Sequence, residues 1–262
     1  MEFFDLNRQS SVQRKPAAPS DQQGHSRDRL FSAACPGPDD IEAAVRSGKT
    51  IRLLAPILNE SLSRRLEHVL HSLVLRYERP ALYDCLHSCL VELATNASRA
   101  NMKHVFFFDR DLDQARPEDY AVGQRAFKAS REHHGWHRAL SARAREMGLT
   151  LEIIFRHSEN GLRIEVINSL ELTPQDERRI REKLGKAMRT ENIYEFFTTH
   201  GDDTEGQGLG FAMNVLFLRS ENIDPSLLRI GSSEGRTVAR LEVPFSQQYV
   251  TVRAREAGAI PA

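Results

Sequence analysis

The stretch "LTLEIIFRHSENGLRIEVIN", residues 149–168, contains two runs of apolar and β-branched residues joined through Asn160-Gly161. Asparagine followed by glycine favours the tight turn of a β-hairpin, so this stretch predicts two antiparallel strands. Further along the chain, "LLRIGSS" and "RTVARLEVPF" predict two more strands. In the second of these, alternate residues from Thr237 to Val243 lie on one side, as in a strand with one buried face.

Helical periodicity marks two segments before the hairpin. Apolar residues recur at intervals of three and four from Asn59 to Tyr77 and again from Pro80 to Ala100, which predicts two amphipathic helices. The aromatic run "KHVFFF", residues 103–108, predicts a strand. The charged stretch that follows, 109–148, predicts a helical insertion of two helices.

After the hairpin, Thr173 and Pro174 supply an N-cap and a proline at the first helical position. They predict a helix that continues to about Arg189. Strands and helices in this order predict an α+β fold. We expect a two-layer α/β sandwich, with a mixed, mostly antiparallel sheet and helices packed on one face.

Changes in composition divide the chain into four segments. They are a disordered tail over 1–40, an N-terminal amphipathic helical segment over 41–78, a main domain over 79–246 that carries the insertion, and a C-terminal tail over 247–262. The helical segment is a candidate dimerisation element, so a homodimer is one expectation.

The overall charge of the chain favours no polyanionic partner. Lys and Arg together number 36, as do Asp and Glu, which argues against nucleic acid or an acidic membrane surface as the partner. No apolar run is long enough to span a bilayer, and the three cysteines lack metal spacing. These features predict a cytoplasmic protein.

Three polar residues of the second helix share one strip. In "LVELATNASRAN", Glu92, Asn96 and Arg99 are spaced i, i+4 and i+7, so they lie on one side of a helix. A carboxylate can act as a base, an amide oxygen can ligate Mg²⁺, and a guanidinium can bind phosphate oxygens. The alternative is a solvated helix face with an interaction between Glu92 and Arg99.

The second candidate motif is a glycine-rich turn. The stretch "EGQGLGFAMNVLF", residues 205–217, runs from three alternating glycines directly into an apolar helix. Glycines at a helix N-terminus let backbone N–H groups approach a phosphate. A flexible loop before a helix is the alternative interpretation.

Taken together, these motifs resemble the GHKL superfamily of ATP-binding domains, which includes gyrase, heat-shock chaperones and histidine kinases. "ELATNASR" matches the family's N-box helix, and "GQGLGFAMN" looks like its second glycine box. "EGRTVARLEVPF" resembles the strand that closes the adenine pocket. The resemblance spans roughly residues 80–245, so it implies a histidine-kinase-like ATP-binding domain over 79–246.

The resemblance also implies a role for each residue. Glu92 would polarise the attacking water or hydroxyl group, Asn96 would hold Mg²⁺, and residues 190–205 would form the lid over ATP. The residues implied to contact ATP are Asn96, Arg99, Asn168, Gly206, Gly208, Gly210 and Thr237.

One box departs from the family pattern. "EVINSLELT" places Asn168 where the family has an aspartate that accepts a hydrogen bond from the adenine amino group, and the nearby glycines are missing. The asparagine oxygen can still accept that bond, although without a charge. Losing charge assistance costs about 1.5–3 kcal/mol, which lowers affinity by roughly ten- to a hundredfold.

Two functions of different class follow from the resemblance. The first is an intracellular, ATP- and Mg²⁺-dependent signalling protein that acts on a protein partner, as a histidine or serine kinase or as an ATPase. His68 and His71 are candidate acceptors, although neither precedes the acidic residue that is usual in the family. The alternative is a non-catalytic nucleotide sensor or a partner-binding scaffold that keeps the fold.

Overall fold

Six strands form a single sheet that makes up one layer of the protein. The computed structural model describes residues 30–31, 37–130, 135–189 and 209–258. The strands are β1 (Leu30–Phe31), β2 (Thr50–Ala55), β3 (Leu151–Ser158), β4 (Gly161–Asn168), β5 (Leu228–Ser233) and β6 (Arg236–Pro244). Their order in the sheet is β1-β2-β3-β4-β6-β5, in which β1 runs parallel to β2 and all other neighbours are antiparallel.

Eight α-helices accompany the sheet in the described ranges. They are α1 (Pro38–Arg46), α2 (Glu60–Arg76), α3 (Leu82–Phe108), α4 (Pro117–Ser130), α5 (Trp136–Glu146), α6 (Pro174–Arg189), α7 (Leu209–Ser220) and α8 (Val252–Glu256). The predicted cap of α6 is confirmed, because Thr173 Oγ1 accepts a hydrogen bond from the backbone N–H of Asp176 at 3.1 Å. None of these helices is long and apolar enough to cross a membrane.

The predicted hairpin forms, but its turn lies one residue earlier than expected. Ser158 pairs with Gly161, so Glu159 and Asn160 are the two loop residues and Gly161 begins β4. A Cβ atom at Gly161 would overlap the Tyr249 ring and would lie 2.7 Å from the Val243 carbonyl oxygen. This glycine therefore serves close packing against the C-terminal segment rather than the turn itself.

The main apolar core lies between one face of the sheet and the helices. Alternate strand residues such as Ile153, Phe155 and Leu241 are fully buried there against leucines of α2 and α3. The other face carries charged side chains, including an ion pair between Arg156 and Glu165. One buried and one charged face confirm the predicted two-layer α+β sandwich with its helices on one side.

The predicted strand at "KHVFFF" is wrong, because these residues form the last turns of α3. Val105, Phe106 and Phe107 are buried in a second apolar cluster that α3 makes with α4 and α5. The Phe106 and Phe127 rings meet edge to face with centroids 5.4 Å apart. Packing of the helical insertion thus overrides the β-propensity of the aromatic run.

The segment 41–78 is more than the helical element that the sequence predicts. It contains β2, which pairs with β3 inside the sheet, while α1 begins at Pro38 within the predicted tail. The apolar stripe of α2, from Leu62 to Leu73, is buried in the core of the chain itself. The stripe therefore offers no surface to a second subunit, and the homodimer stays a prediction without this support.

Part of the predicted C-terminal tail is ordered against the sheet. The Tyr249 hydroxyl group donates to Glu242 Oε2 at 3.0 Å, and the backbone N–H of Val252 donates to the same oxygen at 2.8 Å. Helix α8 follows directly. The prediction of a loose extension is therefore wrong for residues 249–256.

Candidate functional site

The polar strip of α3 forms a chain of hydrogen bonds. Asn96 Nδ2 donates to Glu92 Oε1 at 2.8 Å, and Arg99 Nη1 donates to Asn96 Oδ1 at 3.2 Å. All three side chains are half-buried. The predicted geometry, one carboxylate, one amide and one guanidinium on a single side of the helix, is confirmed.

The first turn of α7 packs directly on this strip. A Cβ atom at Gly210 would overlap the Glu92 carboxylate, so a larger residue at this position would displace that carboxylate. The structure thus brings together α3 and Gly210, the last glycine of the predicted turn, which lie far apart in the sequence. The positive end of the α7 dipole also favours an anionic group at this place.

Asn168 closes the same end of the sheet, but its amide already has partners. Nδ2 donates to the Ala97 carbonyl oxygen at 2.8 Å, and Oδ1 accepts from the backbone N–H of Leu170 at 2.8 Å. Only 2% of the residue is exposed. Asn168 therefore ties the end of β4 to α3 next to Asn96, and its recognition of adenine stays a prediction.

Thr237 lies opposite Asn168 on the neighbouring strand. The two residues are register partners in the pairing of β4 with β6. The Thr237 hydroxyl group donates to the Leu170 carbonyl oxygen at 2.7 Å, and the Thr237 backbone N–H donates to the same oxygen at 2.9 Å. β6 thus begins beside Asn168, and the contact of Thr237 with adenine stays a prediction.

Helix α6 adds positive charge that the sequence analysis missed. Burial of the half-buried Lys183 lowers its pKa, and the charges of Arg179, Lys186 and Arg99 lower it further. Lys183 of α6 therefore lies near the Arg99 guanidinium of the α3 strip. Arg179, Lys183 and Lys186 repeat the i, i+4, i+7 spacing of that strip, which is the signal that would have identified them.

A partly buried cluster of polar side chains links the helical insertion to α6. The Tyr120 hydroxyl group of α4 receives hydrogen bonds from Lys103 Nζ at 3.0 Å and from Arg179 Nη1 at 2.5 Å. It lies 3.3 Å from Asp176 Oδ1, to which it donates. The insertion is therefore attached to α6, the helix that carries the additional cations.

Several predicted features lie outside the described residues. They are Gly206, Gly208 and the lid over 190–205. No cluster of three or more metal-binding side chains occurs in the part of the chain that the structure describes. His71 packs edge to face on Tyr83, and His68 Nε2 lies 3.9 Å from Glu42 Oε1, so both candidate acceptors contact other side chains of the chain.

Comparison with curated proteins finds a similarity to a protein of unknown activity. An uncharacterized protein of Treponema pallidum (strain Nichols) is 31% identical over 183 residues, which are 70% of this chain. The matched region spans only 35% of the length of that relative. No protein-family model matches the chain, and no solved structure matches it. Neither activity nor ligand follows from these comparisons, so the function has to be argued from the site.

Proposed function

We propose that this chain binds MgATP between α3, α6 and α7 and transfers or hydrolyses its γ-phosphoryl group as part of a signalling pathway. The observation that carries the proposal is the contact of the Glu92 carboxylate with Gly210. This contact places a candidate base, a candidate Mg²⁺ ligand and the first turn of α7 next to one another. A chance solvated strip would not need a glycine from a distant segment opposite its carboxylate.

The residues present fit a magnesium nucleotide in their chemistry. The Asn96 amide oxygen is a hard ligand suited to Mg²⁺. Arg99 and the α6 cations supply positive charge for phosphate oxygens, and like charges held close together are stabilised by a bound anion. The lowered pKa of Lys183 indicates this repulsion, since its causes after burial are three cationic neighbours.

Each residue then has a defined task. Bound MgATP supplies the transferable phosphoryl group. Asn96 would hold Mg²⁺ through its amide oxygen, which accepts a hydrogen bond from Arg99 in this structure, and the hydrogen bond from Asn96 to Glu92 orients the carboxylate. Glu92 accepts the proton of the attacking hydroxyl group, the role of a general base in phosphoryl transfer.

Calorimetry with MgATP, MgADP and MgGTP tests the binding step. We expect MgATP to bind, and we expect Asn96→Ala to weaken binding by at least about tenfold through loss of the metal ligand. Release of labelled γ-phosphate tests turnover, which Glu92→Gln should abolish. Glu159→Gln is the matched control, because that carboxylate is exposed and lies in the hairpin turn at the opposite end of the sheet. Absence of MgATP binding would refute the proposal.

The hydrogen bonds that the Asn168 amide makes with the backbone favour a second function. Because both ends of its amide bond the backbone, the chain lacks the charged acceptor that the family offers to adenine. A non-catalytic nucleotide sensor or partner-binding scaffold would keep the fold under these conditions. Nucleotide binding without release or transfer of γ-phosphate would favour this function over the first.

A further inference from the structure

The face of the sheet opposite the main core carries more arginines than carboxylates. Alternation along the strands places nine charged side chains on it: Arg52, Arg156, Arg163, Arg229, Arg236, Arg240, Glu152, Glu165 and Glu242. The register of the strands sets them side by side, since Arg156 is the partner of Arg163 and Arg163 that of Glu242. The six arginines define an arginine face, which is positive although the chain as a whole is neutral.

The carboxylates of this face are more deeply buried than the arginines that pair with them. The side chain of Glu152 is 8% exposed and that of Glu242 is 2% exposed. Their partners Arg52 and Arg240 are 38% and 19% exposed. The surface that this face presents to another molecule is therefore cationic, even where an arginine already has a carboxylate neighbour.

Two arginines of this face are placed unfavourably for the isolated chain. Arg229 of β5 and Arg240 of β6 are register partners, and like charges directly opposite each other destabilise a sheet. Glu242, whose Oε1 lies 3.5 Å from Arg240 Nε, also accepts hydrogen bonds from Tyr249 and from the Val252 backbone. Arg229 itself is exposed. A carboxylate supplied from outside the chain would relieve the repulsion.

Charge and composition favour an acidic protein surface as the occupant of this face. A planar guanidinium forms paired hydrogen bonds with a carboxylate. A second copy of the same face would set arginines against arginines, which disfavours a symmetric dimer here. The described strands place no aromatic side chain on this face, whereas proteins that bind single-stranded nucleic acid use aromatic side chains to stack on the bases.

We propose that the arginine face is a docking surface for an acidic segment of a partner protein. Carboxylates of that segment pair with the exposed Arg229 and with the neighbouring guanidinium groups. Helix α3, which carries the Glu92 to Arg99 strip, packs on the opposite face of the sheet. The docking surface is therefore separate from the proposed nucleotide site, and the proposal does not depend on the proposed function.

Fluorescence anisotropy of a short, labelled poly-L-glutamate tests this surface in the full chain. We expect saturable binding at low salt that weakens as the salt concentration rises, because exposed charges are screened. Arg229→Glu reverses the charge of an exposed residue and should weaken binding by at least about fivefold. Arg64→Glu on α2 is the matched control, because that side chain is 72% exposed and lies in the helical layer. It should leave binding nearly unchanged, and circular dichroism checks that both variants are folded.

Several results would overturn the proposal. They are the absence of saturable binding, equal weakening by Arg229→Glu and Arg64→Glu, and tighter binding of oligothymidylate or of phosphatidylserine vesicles than of poly-L-glutamate. Loss of binding in Arg99→Gln but not in Arg229→Glu would place the polyanion at the α3 strip and would also overturn it. A chain that binds poly-L-glutamate through Arg229 but binds no MgATP would refute only the proposed function.

Discussion

The two ends of the sheet both carry polar groups, but the burial and hydrogen bonding of these groups differ between the ends. At the end where β4 stops at Asn168, the half-buried Glu92, Asn96 and Arg99 are linked to one another by side-chain hydrogen bonds. At the opposite end, Glu242 is only 1% exposed and receives hydrogen bonds from Tyr249 and from the Val252 backbone. At this second end, the polar atoms form hydrogen bonds that stabilise the fold.

The difference gives a physical criterion for separating function from stability. Groups that must bind a ligand stay accessible and keep bonding capacity, whereas buried groups need protein partners to repay their desolvation. Four substitutions test whether the two ends differ in this way. Those at the Glu242 end should change stability, and the one at the Glu92 end should change activity.

The largest expected effect is the loss of the buried carboxylate. Glu242→Ala removes the acceptor of two hydrogen bonds and the partner of Arg240, whose Nε lies 3.5 Å from Glu242 Oε1. Breaking such a buried pair typically costs about 3–5 kcal/mol. Urea unfolding should show this loss of free energy, and a loss below about 1 kcal/mol would contradict the structural role of the cluster.

The next effect comes from the glycine at the start of β4. Gly161→Ala places a Cβ atom against the Tyr249 ring and the Val243 backbone, neither of which can easily move. We expect a destabilisation of about 1–3 kcal/mol in the same unfolding assay. Gly231→Ala is the matched control in β5, because a Cβ atom there would meet nothing within 4 Å. Equal effects of the two substitutions would show that the packing at Gly161 is not special.

The same change at the other end of the sheet should affect activity instead. In Gly210→Ala the new Cβ atom meets the end of the flexible Glu92 side chain, which can swing away at little cost in stability. Glu92 then loses its position against Asn96, so turnover of MgATP should fall by about tenfold, or 1.4 kcal/mol. Unchanged turnover, measured by release of γ-phosphate, would contradict the assignment of Glu92 as the general base.

The smallest effect is a dependence of stability on pH. His157 Nε2 donates to the Lys49 carbonyl oxygen at 3.0 Å, so in the neutral ring Nδ1 accepts from the Tyr77 hydroxyl group at 2.6 Å. Burial lowers the pKa of His157, as does the charge of Arg76, against the opposing effect of the Lys49 bond.

Because the folded state disfavours the charged imidazole, stability from His157 is complete above the ordinary pKa of about 6.5. It is lost as the pH falls from there toward the lower folded-state pKa. Thermal melts from pH 7.5 to pH 5 should show a decrease that His157→Phe reduces. An identical decrease in the variant would show that another group is responsible.

Local sequence signals predicted most of the fold. The hairpin, α2, the start of α3 and the cap of α6 each depend on residues close together in the chain. β2 was missed although Ile51 and Leu53 alternate within it, because six residues give little periodicity. The end of α3 was mispredicted because its aromatic residues are held helical by the insertion, which lies later in the sequence.

The site was predictable where spacing defines it and not where tertiary contacts do. Glu92, Asn96 and Gly210 were identified from motifs, and the structure places them in contact. The bonding of the Asn168 amide depends on the Ala97 carbonyl oxygen, 71 residues away, so no local pattern contains it. The position of Lys183 near Arg99 likewise depends on how α6 packs, so it is not contained in the local sequence.

Helix α3 has a consequence for how the protein unfolds. Its 27 residues extend for about 40 Å, and its two halves belong to different apolar clusters. If either cluster loses its packing, apolar side chains of α3 become exposed to water. The insertion and the main sheet should therefore melt as one cooperative unit, with the same midpoint for Trp136 emission and for far-ultraviolet ellipticity.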